Sequence, residues 1–285
     1  MPELPEVETI ARGVDVRVRG DCIVEAWFSS YREPFKTPPA RQAKGLEGKV
    51  ILAVHRTGKH IVCELGTGRA GGVPEEIVVH GSASAQWIVH LGMTGRLLVT
   101  TPDSPLAAHT HARLRLKSGK ELRFVDARRF GRLEYRELNR TEGFAGAGSE
   151  PLTVGAEEFA ALFRGRRLAI KAALLNQGLL TGVGNIYADE SLFRAGIRPR
   201  KAAGRLTRAE LERLRTALVG VLEHAIMLGG SSVSDYVDAA GVRGFFQLEH
   251  CVYQRTGEPC RRCGTAIRRV IVGGRSTHYC PVCQR

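Results

Sequence analysis

The 285-residue sequence predicts an α+β protein of more than one domain, and three observations carry that prediction. Apolar residues recur with a helical period at the start, in short alternating runs up to about residue 137, and with a helical period again beyond about residue 155. Four of the seven cysteines fall in the last 26 residues, among strand-like segments.

The first helix is read from Val7, Ile10, Ala11, Val14 and Val18, which share one face of a segment over about residues 5–19, with Pro5 suited to its first turn. From about residue 20 the runs shorten and alternate, as in Ile77-Val78-Val79, Trp87-Ile88-Val89, Ala112-Arg113-Leu114-Arg115-Leu116 and Glu121-Leu122-Arg123-Phe124. The last two flank Lys117-Ser118-Gly119-Lys120 and predict a hairpin; the set as a whole, punctuated by Gly and Pro, predicts a β-sandwich or barrel. Residues 1–138 therefore form the first expected domain. Residues 139–155, rich in Gly, Thr and Ser, read as a linker. Helical periods over 156–164, 168–176, 186–195 and 207–228 make 156–244 a second, helical domain, and Thr207 with Glu210 has the spacing of a capping box. Residues 245–285 form a terminal module.

Composition narrows the function. With 43% hydrophobic and 25% charged residues the chain reads as globular. No run approaches the ~20 apolar residues of a membrane helix. The acidic first turn lacks the basic and apolar regions of a signal peptide, so a cytoplasmic or nucleoid location is expected and a membrane partner is not. A net charge of +13 points to a polyanionic partner, with nucleic acid leading and a merely solvated basic surface as the alternative. In such a compartment the cysteines do not form a disulfide framework. Cys22, Cys63 and Cys251 read as small, partly buried hydrophobes.

Cys260, Cys263, Cys280 and Cys283 form C-x2-C-x16-C-x2-C, two tight turns that each present two thiolates to one tetrahedral zinc. Four cysteines leave no open coordination position, so the zinc is expected to be structural and the chemistry to lie elsewhere; no redox or nucleotide cofactor is expected. Between the pairs, two strands are joined at Gly273-Gly274, and Arg275 would project from the tip. Residues 251–285 hold seven arginines against one acidic residue, which suits a phosphate-facing ribbon.

Five ordered motifs then converge: Met1-Pro2-Glu3-Leu4-Pro5-Glu6-Val7-Glu8-Thr9, His90-Leu91-Gly92-Met93-Thr94-Gly95, Arg128-Arg129-Phe130-Gly131, Gly182-Val183-Gly184-Asn185-Ile186-Tyr187-Ala188 and the cysteine module. From residue 2 to residue 285 the chain resembles the bacterial formamidopyrimidine-DNA glycosylases. The resemblance implies a two-sheet β-sandwich behind the first helix, a helix-two-turn-helix domain and a β-hairpin zinc finger. It also implies a bifunctional glycosylase/AP lyase of base excision repair, acting on damaged duplex DNA as a monomer and removing oxidised purines through a Schiff base on Pro2, followed by β,δ-elimination.

The same resemblance distributes roles. Pro2 is the nucleophile once Met1 is removed, because a secondary amine bonded to C1′ gives a permanently cationic iminium, a good electron sink. Glu3 handles protons beside it and Glu6 supports it; Glu8 reads only as a partner of the helix dipole. Lys59 assists β-elimination. Arg275 matches the finger arginine of δ-elimination, and since a guanidinium stays protonated, phosphate clamping is the weightier role. Met93, Arg128 and Phe130 match the residues that fill the space left by an everted nucleotide, with Arg128 on the orphaned cytosine. Asn185, at a helix start that suits a phosphate, joins His109, Arg166 and Lys171 as expected DNA or lesion-pocket contacts.

Some positions depart from the family pattern. Residues 66–86 read as a longer surface hairpin, Asp126-Ala127 stands where Asp-Pro is usual, and His60 replaces a common aromatic. The loop Asp238–Phe246 is too variable for lesion contacts to be assigned. Two alternatives stay open: the endonuclease VIII branch, acting on oxidised pyrimidines, against which Leu4 and the Met93/Arg128/Phe130 set weigh, and a non-catalytic zinc-ribbon DNA-binding protein, which leaves Pro2-Glu3 unexplained.

Overall fold

The structure, a computed structural model, describes residues 1–31, 33–67, 83–138, 143–233 and 236–285. The chain divides into two compact units: Met1–Pro2, Glu6–Ala145 and Ser232–Gly244 form one, and Glu3–Pro5, Gly146–Ser231 and Phe245–Arg285 the other.

In the first unit, helix α1 (Leu4–Val18) leads into β1 (Ile23–Phe28), helix α2 (Pro39–Leu46) and strands β2 (Lys49–Thr57), β3 (His60–Thr67), β4 (Ala85–His90), β5 (Arg96–Thr100), β6 (Thr110–Leu116), β7 (Glu121–Val125) and β8 (Arg132–Glu137). They form two antiparallel four-stranded sheets, in the orders β1-β6-β7-β5 and β2-β3-β4-β8. Alternation along each strand turns one face inward. Leu97, Leu114, Leu122 and Phe124 of one sheet and Val54, Ile61, Trp87 and Leu133 of the other enter a single core, which Val7, Ile10, Ala11, Val14 and Val18 of α1 complete. The expected hairpin is present, with Leu114 opposite Leu122 and Arg115 opposite Glu121.

Helix α2 was not expected. Its Gln42 is fully buried, donates to the Thr37 carbonyl at 2.8 Å and accepts from the Trp87 indole at 3.1 Å. Pro39 fits the first turn of such a helix, but Gly45 and two basic residues, Arg41 and Lys44, hide an apolar period too short to register. The proposed 66–86 insertion, with the strand expected at Ile77-Val78-Val79, lies largely outside the described residues, as do positions 139–142 of the expected linker.

In the second unit, α3 (Ala156–Phe163), α4 (Ile170–Leu174), α5 (Asn185–Ala195) and α6 (Arg208–Met227) follow the predicted helices, with α4 shorter than its apolar run. Thr207 accepts from the Glu210 amide and Glu210 caps back, completing the capping box. Leu174, Tyr187, Leu192, Leu214, Leu218 and Phe246 build this core, to which Leu4 also contributes. A hairpin of β9 (Arg268–Val272) and β10 (Arg275–Tyr279) packs through Ile267 and the cysteine turns on Phe193 and Val252. No helix among the described residues is long and apolar enough to cross a membrane.

Candidate functional site

Pro2 is buried and Met1 before it is half exposed. Glu3 is 5% exposed, and one carboxylate oxygen accepts the Ile186 amide at the start of α5 at 3.3 Å. The Leu4 amide donates to the Gly182 carbonyl at 3.0 Å. Two glycines make room for this approach. Gly182 has φ +85°, and a side chain at Gly184 would run into the Glu3 carboxyl group. Glu6 is buried in the other unit, where the Tyr236 hydroxyl donates to its carbonyl at 3.4 Å. Burial, reinforced by the Glu6 charge, pushes the Tyr236 phenol well above its ordinary value.

Lys59 stands half-buried with Gly58 in the tight turn joining β2 to β3. The next residue, His60, stacks between His90 and Phe144, with ring centres 4.9 and 4.7 Å away, so a histidine serves here as the aromatic it replaces. Burial, then the charges of His60, Lys59, Lys36 and Arg132, depress His90 to about 4. Its Nδ1 accepts the Gly92 amide at 3.2 Å, a bond that only the neutral ring makes.

Two loops carry the expected wedge residues, and Asp126 fastens them together. Fully buried, it accepts from the Thr94 hydroxyl at 2.5 Å, the Arg128 amide at 3.2 Å and the Gly131 amide at 2.8 Å. Gly92, at φ +63°, has no room for a side chain against the Phe130 and Gly131 backbone. Met93 and Phe130 are 41% and 50% exposed, which sets aside a role in the strand core. The Arg128 guanidinium lies 4.7 Å from the centre of the Phe130 ring. His109 is exposed at φ 63°, and its carbonyl accepts the Asp126 amide at 3.0 Å.

In the second unit Arg166 is exposed, with its Nε on the Leu162 carbonyl at 2.6 Å, and lines a shallow cleft with Arg167 and Arg205. Lys171, expected as a DNA or lesion-pocket contact, is wholly buried, with Nζ 2.7 Å from Asp189 and donating to the Ser276 carbonyl at 2.7 Å. An ammonium enclosed in this way is not a surface contact. Burial holds it below its ordinary value although Asp189 pulls the other way. Asn185 follows Gly184 at the start of α5, and its amide also donates to Ser276, at 3.0 Å. Arg275 is exposed immediately after Gly273 and Gly274, whose φ values of 56° and 73° form the turn. In the loop after Tyr236, Asp238 accepts from the amides of Ala240 and Val242 and so braces its own turn.

The four cysteine sulfurs lie within 4.8 Å of one another. Cys260 to Cys283 is 3.9 Å and Cys263 to Cys280 is 3.5 Å. Sulfurs at 2.3 Å from one tetrahedral zinc are separated by roughly 3.8 Å, so the set fits the ion. The amides of Arg262 and Cys283 point at Cys260 and Cys280 sulfur at 3.4 Å, stabilising thiolates.

Sequence reasoning missed Asp126, Asp189 and Glu190 as organising residues. The partners that tie each to another segment, Thr94 for Asp126, His278 for Asp189 and Cys251 for Glu190, lie 32, 89 and 61 residues away, so no local spacing announces them.

Against known proteins, residues 1–133 match the model of the formamidopyrimidine-DNA glycosylase N-terminal domain, 147–237 that of the H2TH domain of the same enzymes, and 257–285 a zinc finger found in FPG and IleRS. The chain is 46% identical over 285 residues to the formamidopyrimidine-DNA glycosylase of Solibacter usitatus and 42% over 294 residues to that of Thioalkalivibrio sulfidiphilus, covering 100% of each protein in both cases. Among solved structures it is similar to a Lactococcus lactis Fpg mutant in complex with Fapy-dG-containing DNA, with TM-score 0.84, 33% identity and 100% of both chains covered. A complex of Lactococcus lactis Fpg with abasic-site DNA matches with TM-score 0.84 and 33% identity over 99% of both chains. A complex of the wild-type Lactococcus protein with DNA containing an oxidised pyrimidine matches with TM-score 0.83 and 33% identity over 100% of both.

Proposed function

The chain belongs to the formamidopyrimidine-DNA glycosylase family, and from that premise we propose that it removes oxidised purines, 8-oxoguanine and formamidopyrimidines, from duplex DNA and then cleaves the strand. It is a base-excision-repair DNA glycosylase with AP lyase activity and one structural zinc; in this reading it acts as a monomer in the bacterial cytoplasm.

The Pro2 nitrogen, freed of Met1, forms a bond to C1′ of the damaged nucleotide. The glycosidic bond breaks, its electron pair leaves with the base, and the sugar opens to an iminium on Pro2. Loss of the C2′ proton drives electrons toward that cation and expels the 3′ phosphate. A second elimination expels the 5′ phosphate, leaving a one-nucleotide gap. Glu3 exchanges protons at the sugar, with Glu6 supporting, and Lys59 assists the first elimination. Arg275 and Asn185 hold phosphate, while His109 and Arg166 contribute DNA contacts. Met93 and Phe130 enter the vacated space, and Arg128 bonds the orphaned cytosine. The zinc, held by Cys260, Cys263, Cys280 and Cys283, supplies no chemistry beyond fixing the hairpin that carries Arg275.

The observation that supports this reading best is Glu3, joined directly to the nucleophile and fixed by the Ile186 amide at the start of the helix that Asn185 opens. Borohydride trapping tests it. With a duplex carrying 8-oxoguanine opposite cytosine, a covalent adduct should form at Pro2, and Pro2→Gly should bind that duplex but lose most trapping and turnover. Absence of adduct from the wild-type chain would sink the enzyme reading. Preferred trapping on an oxidised pyrimidine would move it to the endonuclease VIII branch.

A further inference from the structure

Helix α5 carries two adjacent, fully buried carboxylates whose surroundings differ. Glu190 is satisfied by the amides of Cys251, Val252 and Tyr253 at 2.9 to 3.0 Å, a fastening for one turn. Asp189 instead joins side chains. One oxygen pairs with Lys171 at 2.7 Å; the other accepts the His278 amide at 2.9 Å and lies 3.2 Å from His278 Nδ1. Lys171 in turn donates to the Ser276 carbonyl, which also accepts from Asn185. His278 is held from its other side by the Tyr253 ring, 5.2 Å away. Charges facing Lys171 are Asp189 and Glu3, which favour its ammonium, and Arg275, which opposes it.

Stability alone does not account for this arrangement. A buried ion pair loses hydration that its mutual attraction rarely returns, and apolar side chains of the same shape often do as well. What charged hydrogen bonds add is direction, because each fixes an atom along a line. Here the lines converge on Ser276 and His278 of β10, the residues that follow Arg275.

We propose that Asp189 is a positioning residue that, through Lys171 and the Ser276 carbonyl, holds Arg275 and Asn185 to a common phosphate for the second elimination. The inference rests on the reading that Arg275 acts on that phosphate. In it Asp189 touches no DNA; it fixes the backbone from which the guanidinium extends.

The test is the product distribution on abasic-site DNA, resolved into strands ending in the unsaturated aldehyde left by β-elimination and in the phosphate left by δ-elimination. Asp189→Asn keeps the shape and removes the charge. It should retain one zinc per chain and borohydride trapping while lowering the δ-to-β product ratio by about tenfold, as expected for a misplaced group. An unchanged ratio in Asp189→Asn overturns the inference. If that variant fails to fold, Lys171→Met/Asp189→Asn, which leaves no unpaired buried charge, decides: a folded, zinc-bound protein with a lowered ratio supports positioning, and a wild-type ratio overturns it. Arg275→Ala run in parallel separates the two levels. An unchanged ratio there removes the role of Arg275 and this inference with it, whereas a change there without one in the Asp189 variants removes only the inference.

Discussion

At the scale of single residues, His90 shows how a site built for one protonation state becomes sensitive to acid. Its ring is neutral in the folded protein, with a value of about 4 against an ordinary 6.5. Between those two values the unfolded chain takes up a proton that the folded chain refuses, so the stability this residue contributes is complete above 6.5 and lost as pH falls toward about 4. In His90→Phe the unfolding midpoint in urea should fall less steeply over this window than in the wild type; an identical slope would show that His90 does not set it. Residues of this kind were only half legible in sequence. His60 registered as a departure from the family aromatic, but its stacking on His90 and Phe144 depends on the pairing of β3 with β4 and on a segment far along the chain.

At the scale of elements, the pattern of legibility follows the range of the interactions. The hairpin at 117–120, the capping box of α6 and the cysteine turns are each set by residues a few positions apart, and each was readable. Helix α2 escaped because Gln42 buries an amide whose partners are Thr37 and Trp87, the latter 45 residues away. Asp126 escaped similarly, since Thr94, its partner in the other loop, lies 32 residues back. Replacing Asp126 by Ala leaves the Gly131 amide buried without an acceptor and unlinks the Met93 loop from the Arg128 loop. The expected loss is about 1–3 kcal/mol of unfolding free energy. Preference for cytosine opposite the lesion should weaken at the same time. Full stability in chemical denaturation, or undiminished selectivity, would show that the loops hold their shapes without it.

For the molecule as a whole, the basic charge and the metal act together. Seven arginines of residues 251–285 sit on or beside a hairpin whose small core holds two zinc cysteines, Cys260 and Cys280. Stripping the zinc with a chelator should therefore weaken duplex binding by about tenfold or more, the equivalent of one charge-assisted contact, and restoring one zinc per chain should recover it. Undiminished affinity in protein verified to be zinc-free would separate the hairpin from binding. The contacts of the first residues have a different consequence, one of timing. Glu3 finds Ile186 across 183 residues, so during synthesis the amino terminus has no partner there until most of the chain has been made. At ordinary translation rates that wait lasts roughly 10–40 s. The proposed nucleophile requires an aminopeptidase to remove Met1, and throughout that interval Glu3 beside it is not yet fixed by Ile186. A variant that folded its first segment early would keep its methionine more often, and with it a blocked amine.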